Sequence, residues 1–173
     1  MSRVDAILTG AVAALAVALV YVVAGTLEAP VVNAGDKAPN FSVVSDHGRS
    51  ISPSQFGGKL LVLNFWASWC PPCIEETPSL NAFQRAFASK GVVVLGVSAD
   101  RNDKLYHEFL NRFNVNFDTW RDPEAEAGLA ARYGTVQFPE TYIIDSSGHV
   151  VIKIPDAQDF TNPEFMARVE KNL

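Results

Sequence analysis

Residues 60–73 read LLVLNFWASWCPPC. The first seven, Leu60 to Trp66, form a near-continuous apolar run, the pattern of a strand covered on both faces of a sheet. Beyond the two prolines, Ile74, Leu80, Phe83 and Phe87 recur at helical spacing and predict a helix over residues 73–89. Cys70 and Cys73 therefore stand where a buried strand gives way to a helix. Pro71 suits a first helical turn, because its missing N–H would have no intrahelical partner there.

Downstream the alternation continues. Val92 to Val97 (VVVLGV) reads as a second buried strand. Residues 102–113 read as a helix with Leu105, Phe109, Leu110 and Phe113 on one face. Arg121 to Tyr133 holds a short helix beginning near Asp122-Pro123, a cap and a first-turn proline. Thr141 to Ile144 and Val150 to Ile154 flank Asp145-Ser146-Ser147-Gly148, a hairpin signal. A last helix follows around Pro163 to Val169. Strands alternating with helices and then a closing hairpin predict an α/β domain over residues 39–173, a central mixed sheet with helices on both faces.

Upstream, residues 6–25 (AILTGAVAALAVALVYVVAG) carry no charge, and 17 of the 20 are apolar. Twenty helical residues span ~30 Å, the hydrocarbon thickness of a bilayer. The stretch is expected to be a transmembrane helix with the lipid bilayer as its partner. Val32-Asn33-Ala34 resembles a cleavage site, but the run exceeds the ~7–15 residues of a signal-peptide core, so an uncleaved anchor is expected. Arg3 precedes the run, whereas Glu28 and Asp36 follow it. That asymmetry places residues 1–5 in the cytoplasm and the domain outside. Residues 26–38, with Pro30 and Gly35, read as a tether.

Composition narrows the function. Of 173 residues 48% are hydrophobic and 19% charged, with a net charge of −5 and no basic cluster. These values exclude a disordered chain and argue against a nucleic-acid partner. Two cysteines are too few for a disulfide-dense mini-domain or an all-cysteine zinc site. His47, His107 and His149 lack ligand-pair spacing and read as surface residues, so no metal is expected. No cofactor is expected either. The chain has no GxGxxG, no phosphate-binding loop and no haem-attachment CxxCH, since Ile74 follows Cys73.

What remains is the cysteine pair. At a helix N-terminus, backbone N–H groups and the dipole favour the thiolate of Cys70, the nucleophilic form in disulfide exchange. Cys73, one turn on and more buried, would be the resolving thiol. A structural disulfide is a competing reading, although a bridge this short closes almost no loop. Half a metal site is another, although two further ligands are lacking.

The chain resembles the thioredoxin superfamily, specifically its membrane-anchored TlpA/ResA/CcmG-like thiol–disulfide oxidoreductases, over roughly residues 36–172. The resemblance rests on residues 35–41 (GDKAPNF), 63–73 (LNFWASWCPPC), Pro78, residues 96–100 (GVSAD) and residues 138–145 (FPETYIID). It implies a thioredoxin-like fold, with residues 101–135 as a helix–strand–helix insertion. Pro139 would be cis and face the cysteines, the alternative being a trans proline opening a strand. Glu76 would sit below the active site and relay a proton to or from Cys73, the alternative being an exposed first-turn glutamate. Trp66 would pack beneath the active-site loop, while Trp69, Pro71, Pro72 and Phe138 would form the docking surface; either tryptophan could instead be core.

The resemblance further implies a reductant of protein disulfides on the periplasmic side of the bacterial inner membrane, fed by a membrane electron-donor protein. Keeping haem-binding cysteines of apocytochrome c reduced is one such task. Three other functions stay open. A peroxiredoxin-like peroxidase is disfavoured because Leu63 and Ala67 replace the proline and threonine of the PxxxTxxC pattern. A copper-binding assembly factor would need a longer cysteine spacing. A non-catalytic tethered interaction module would not need the cysteines.

Overall fold

The computed structural model describes residues 3–27, 31–122, 124 and 127–173, and it divides into two units, Met1–Pro30 and Val31–Leu173. In the first, α1 (Arg3–Leu27) is a single helix. Its described side chains, residues 7–22, are all exposed. Among the described residues no helix is long and apolar enough to cross a membrane. The side chains of residues 6 and 23–25 of the expected anchor lie outside the described set, as do residues 1–2 and, in the expected tether, residues 28–30.

The second unit is built on a five-stranded sheet. Its strands are β3 (Leu60–Trp66), β4 (Val92–Ser98), β5 (Asp118–Arg121), β6 (Glu140–Asp145) and β7 (Val150–Ile154), in the order β5-β4-β3-β6-β7. β3, β4 and β5 are mutually parallel, while β6 and β7 run antiparallel to their neighbours. The central strand β3 is buried at all seven positions, as its unbroken apolar run requires. A small hairpin, β1 (Val43–Val44) with β2 (Ser50–Ile51), precedes it.

Helices cover both faces. α2 (Pro71–Phe87) packs Leu80, Phe83 and Phe87 with Phe165 and Val169 of α5 (Pro163–Glu170) on one face. The short α4 (Leu129–Tyr133) contributes Leu129, Ala130 and Tyr133 to the other. α3 (Asp103–Arg112), β5 and α4 supply the helix–strand–helix insertion over residues 101–135.

Three expectations need correction. The tether does not extend to residue 38. Val32 and Ala38 are buried, Gly35 N–H donates to the Val150 carbonyl at 2.8 Å, and Ala38 N–H donates to the Gly148 carbonyl at 2.9 Å. Residues 31–38 therefore belong to the domain. The insertion's second helix starts at Leu129 rather than near Asp122, and Pro123 lies outside the described residues. The Asp122 carboxylate does cap it, but from seven residues away, accepting from Leu129 N–H at 2.6 Å over a Gly128 with no room for a side chain. In α3 the buried positions are Tyr106 and Phe109, while Leu105 is exposed.

Candidate active site

Cys70 is the N-cap of α2, and its extended backbone (φ −94°, ψ 108°) turns the chain from β3 into the helix. Its Sγ accepts a hydrogen bond from Cys73 N–H at 3.3 Å, the N-cap contact that also stabilises a thiolate there. The two cysteines are joined as a disulfide with Cα atoms 5.3 Å apart. Cys73 is fully buried and Cys70 nearly so. Pro71 and Pro72 occupy the first helical turn, exposed and half-buried respectively.

The loop before Cys70 is held by a residue to which its sequence motif, GVSAD, assigns no role in the site. Asp100, two residues beyond the end of β4, is buried, and its carboxylate accepts from Ser68 N–H (2.9 Å), Ser68 Oγ (2.7 Å) and Ser98 Oγ (2.7 Å). Beneath the loop Trp66 is buried among Ala67, Cys70, Cys73, Tyr106 and Phe109, and its ring centroid lies 4.4 Å from that of Phe109. Tyr106 donates from its hydroxyl to Asp46. Burial first, and that carboxylate next, push its phenol well above the usual range.

Opposite the pair, the Phe138–Pro139 peptide is cis. Pro139 is buried, and the Phe138 carbonyl oxygen sits 3.4 Å from Cys70 Sγ, placed to accept from a protonated thiol. Trp69 is 64% exposed, and its ring meets that of Phe138 edge-on at 6.1 Å. Cys70, Phe138 and Trp69 thus stand together, Trp69 exposed, Phe138 half-buried, and Cys70 and Pro139 buried.

Glu76 lies one helical turn beyond Cys73 and is only 5% exposed, which removes the alternative of an exposed first-turn glutamate. Its Oε1 accepts from Asn64 Nδ2 at 2.9 Å and its Oε2 from Gln158 N–H at 3.1 Å. Burial outweighs both hydrogen bonds and raises its pKa from 4.5 to about 7. The carboxyl can therefore take up or release a proton near neutral pH. Its neighbour Glu75 is exposed. Asn64 was not singled out from sequence, since one polar residue in an apolar run looks like a tolerated exception.

The three histidines are exposed, and among the described residues no cluster of histidine, cysteine, aspartate and glutamate is arranged to hold a metal ion.

A profile of the AhpC/TSA family matches residues 34–153. The chain is 33% identical over 124 residues to the thiol-disulfide oxidoreductase ResA of Bacillus thuringiensis subsp. konkukian (strain 97-27), covering 72% of this chain and 70% of that protein. To ResA of Bacillus subtilis (strain 168) it is 32% identical over 120 residues, 69% and 66% of the two chains. Among solved structures, the thioredoxin domain of a thiol-disulfide oxidoreductase from Bacteroides vulgatus superimposes with a TM-score of 0.69 at 28% identity, covering 81% of this chain and 97% of that one.

Proposed function

The chain belongs to the AhpC/TSA family and is a thioredoxin-like thiol–disulfide oxidoreductase of the TlpA/ResA/CcmG type; from that premise we propose that it works outside the cytoplasm, on a membrane tether, as a reductant of protein disulfides. The observation that carries the exchange chemistry is the placement of Cys70. It caps α2, is bonded to Cys73, and faces the carbonyl that precedes cis-Pro139.

Cys70 thiolate attacks one sulfur of the partner's disulfide, and the other partner sulfur leaves as a thiolate. Cys73 then attacks Cys70 within the mixed disulfide, forming the Cys70–Cys73 bond and releasing the partner's second thiolate. Glu76 holds or supplies the proton that Cys73 loses or gains, which its pKa near 7 suits. Trp69, Pro71, Pro72 and Phe138 receive the partner chain, and the backbone beside Pro139 aligns it.

The anchor is read from the sequence: residues 6–25 carry no charge, follow Arg3 and, counted together with those whose side chains lie outside the described set, number the twenty that a helix needs to span a bilayer. Disulfides persist on the far side of that membrane, in a bacterium the periplasmic face, where a reductant needs electrons from a membrane donor protein. Reduction of apocytochrome c haem-binding cysteines is one fitting task.

The test is trapping. Cys73→Ser should stall the mixed disulfide on Cys70 and carry the partner with it, identifiable by mass. A chain that traps nothing in cells would overturn the exchange mechanism. Direction is decided by the equilibrium potential against glutathione: a value near about −120 mV, the scale of strong oxidants, rules out a reductant.

A further inference from the structure

Glu140 is a buried acid that the exchange chemistry leaves unused. It follows cis-Pro139 directly and opens β6 opposite Phe65 of β3, a position where an apolar side chain would cost less. Yet its carboxylate is fully partnered. Oε2 accepts from the Thr135 hydroxyl and lies 2.9 Å from the Tyr142 hydroxyl, whereas Oε1 pairs with Lys153 Nζ at 3.2 Å. Lys153 also donates to the Val32 carbonyl at 2.9 Å, which ties the site to the start of the domain.

Thr135 and Glu140 are the two ends of one short segment. Its N-terminal end is fixed to α4 by Thr135 N–H, which donates to the Ala130 carbonyl at 3.0 Å. Its middle carries Val136, 90% exposed, and the Phe138 carbonyl that faces Cys70 Sγ at 3.4 Å. The Thr135–Glu140 hydrogen bond therefore closes the base of the loop that an incoming disulfide must meet.

We propose that Glu140 is a positioning residue: with Thr135, Tyr142 and Lys153 it clasps residues 135–140, holding Phe138 and Pro139 against Cys70 and so setting the affinity for the partner disulfide. The clasp rests on the exchange function proposed above. It acts through placement, so it should alter partner binding without altering the chemistry of Cys70 itself.

The experiment uses the reduced full chain in detergent and, as probe, a short peptide closed by one intramolecular disulfide. Single-turnover rates give a limiting rate and a half-saturating peptide concentration. The pH midpoint of Cys70 alkylation by iodoacetamide is measured alongside. Thr135→Val and Glu140→Gln should each raise the half-saturating concentration about tenfold, the loss of ~1.4 kcal/mol expected of one charge-assisted hydrogen bond. The limiting rate should stay within about twofold and the alkylation midpoint should not move, while Thr135→Ser, which keeps the hydroxyl, should restore wild-type binding. Variants that lose thermal stability but keep wild-type half-saturation would show a merely structural ion pair and overturn the clasp. A shifted alkylation midpoint would overturn it too, by placing the effect on the thiolate. If the wild-type chain is alkylated yet never reduces the peptide, the exchange reading itself fails.

Discussion

Asn64 Nδ2 donates to Glu76 Oε1 at 2.9 Å and, from the same nitrogen, to Thr141 Oγ1 at 2.9 Å. One amide in β3 thus fixes an acid on α2 to the strand that follows cis-Pro139. Both carboxyl oxygens of Glu76 are engaged, yet the group sits in a buried environment that disfavours its charged form.

That conflict has a pH signature. The folded-state pKa, about 7, lies above the unfolded value of 4.5, so the native state binds more protons between them. The stabilising contribution is fully present below about pH 4.5 and is lost as pH rises through 7. At ~1.36 kcal/mol per pKa unit, the loss is on the order of 3 kcal/mol. Urea unfolding from pH 4 to 8 should show this fall in the wild-type chain, and a Glu76→Gln chain should lose most of the slope. An unchanged slope in the variant would place the titrating group elsewhere.

Gly96 marks a second constraint beneath the site. It pairs with Asn64 across β3 and β4, and a Cβ there would lie 2.9 Å from both Trp66 Nε1 and Phe117 Cε2. The restriction is space rather than backbone conformation. Gly96→Ala should destabilise the domain by about 1–3 kcal/mol, the usual cost of overpacking a filled core, read as a lower urea midpoint. Because Trp66 packs among the cysteines, its fluorescence should shift as well.

The parts of the site that were legible in sequence are those encoded locally. A buried strand, two cysteines and two prolines in fourteen residues specify a thiol at a helix N-terminus, because every determinant lies within a few residues. The cis peptide at Pro139 came from resemblance, since no local rule demands it. Asn64, Asp100 and Glu140 were not legible as site residues, because their roles depend on partners that folding alone brings close, such as Thr141 for Asn64 and Ser68 for Asp100. In α3 the expected apolar face kept Phe109 but not Leu105. Tyr106 took the buried position from Leu105 because its hydroxyl reaches Asp46 while its ring packs on Trp66. The two-residue strands of the β1–β2 hairpin are too short to show any alternation.

Trp69 separates binding from stability. It is 64% exposed, and among the described residues its one aromatic contact is the edge-on meeting with Phe138 at 6.1 Å. Removing such a side chain should change unfolding free energy by no more than about 0.5 kcal/mol. A partner chain arriving at Cys70 would nonetheless cover this ring. Trp69→Ala should therefore leave thermal unfolding unchanged while raising the half-saturating concentration of a disulfide peptide severalfold. A variant that unfolds earlier but binds normally would make Trp69 a packing residue instead.

Where the folded domain begins can be tested by truncation. A chain starting at Val31 keeps the whole second unit, whereas one starting at Pro39 follows the boundary expected from sequence. The eight residues between them bury Val32 and Ala38 and pair with β7 and the turn before it through Gly35 N–H to Val150 O (2.8 Å), Val150 N–H to Asp36 O (2.9 Å) and Ala38 N–H to Gly148 O (2.9 Å). They also supply the Val32 carbonyl to Lys153, whose ammonium neutralises the buried Glu140. Burying one valine is worth about 1.5–3 kcal/mol and each hydrogen bond about 0.5–1.5 kcal/mol. Together these contacts exceed what a small domain can lose without consequence. The chain from Val31 should fold and reduce a disulfide peptide at the full chain's rate. The chain from Pro39 should unfold at markedly lower urea and bind the peptide more weakly, because Lys153 loses the Val32 carbonyl that helps to hold it beside Glu140. Equal stability of the two truncations would show that residues 31–38 contribute nothing to the fold and return the boundary to residue 39.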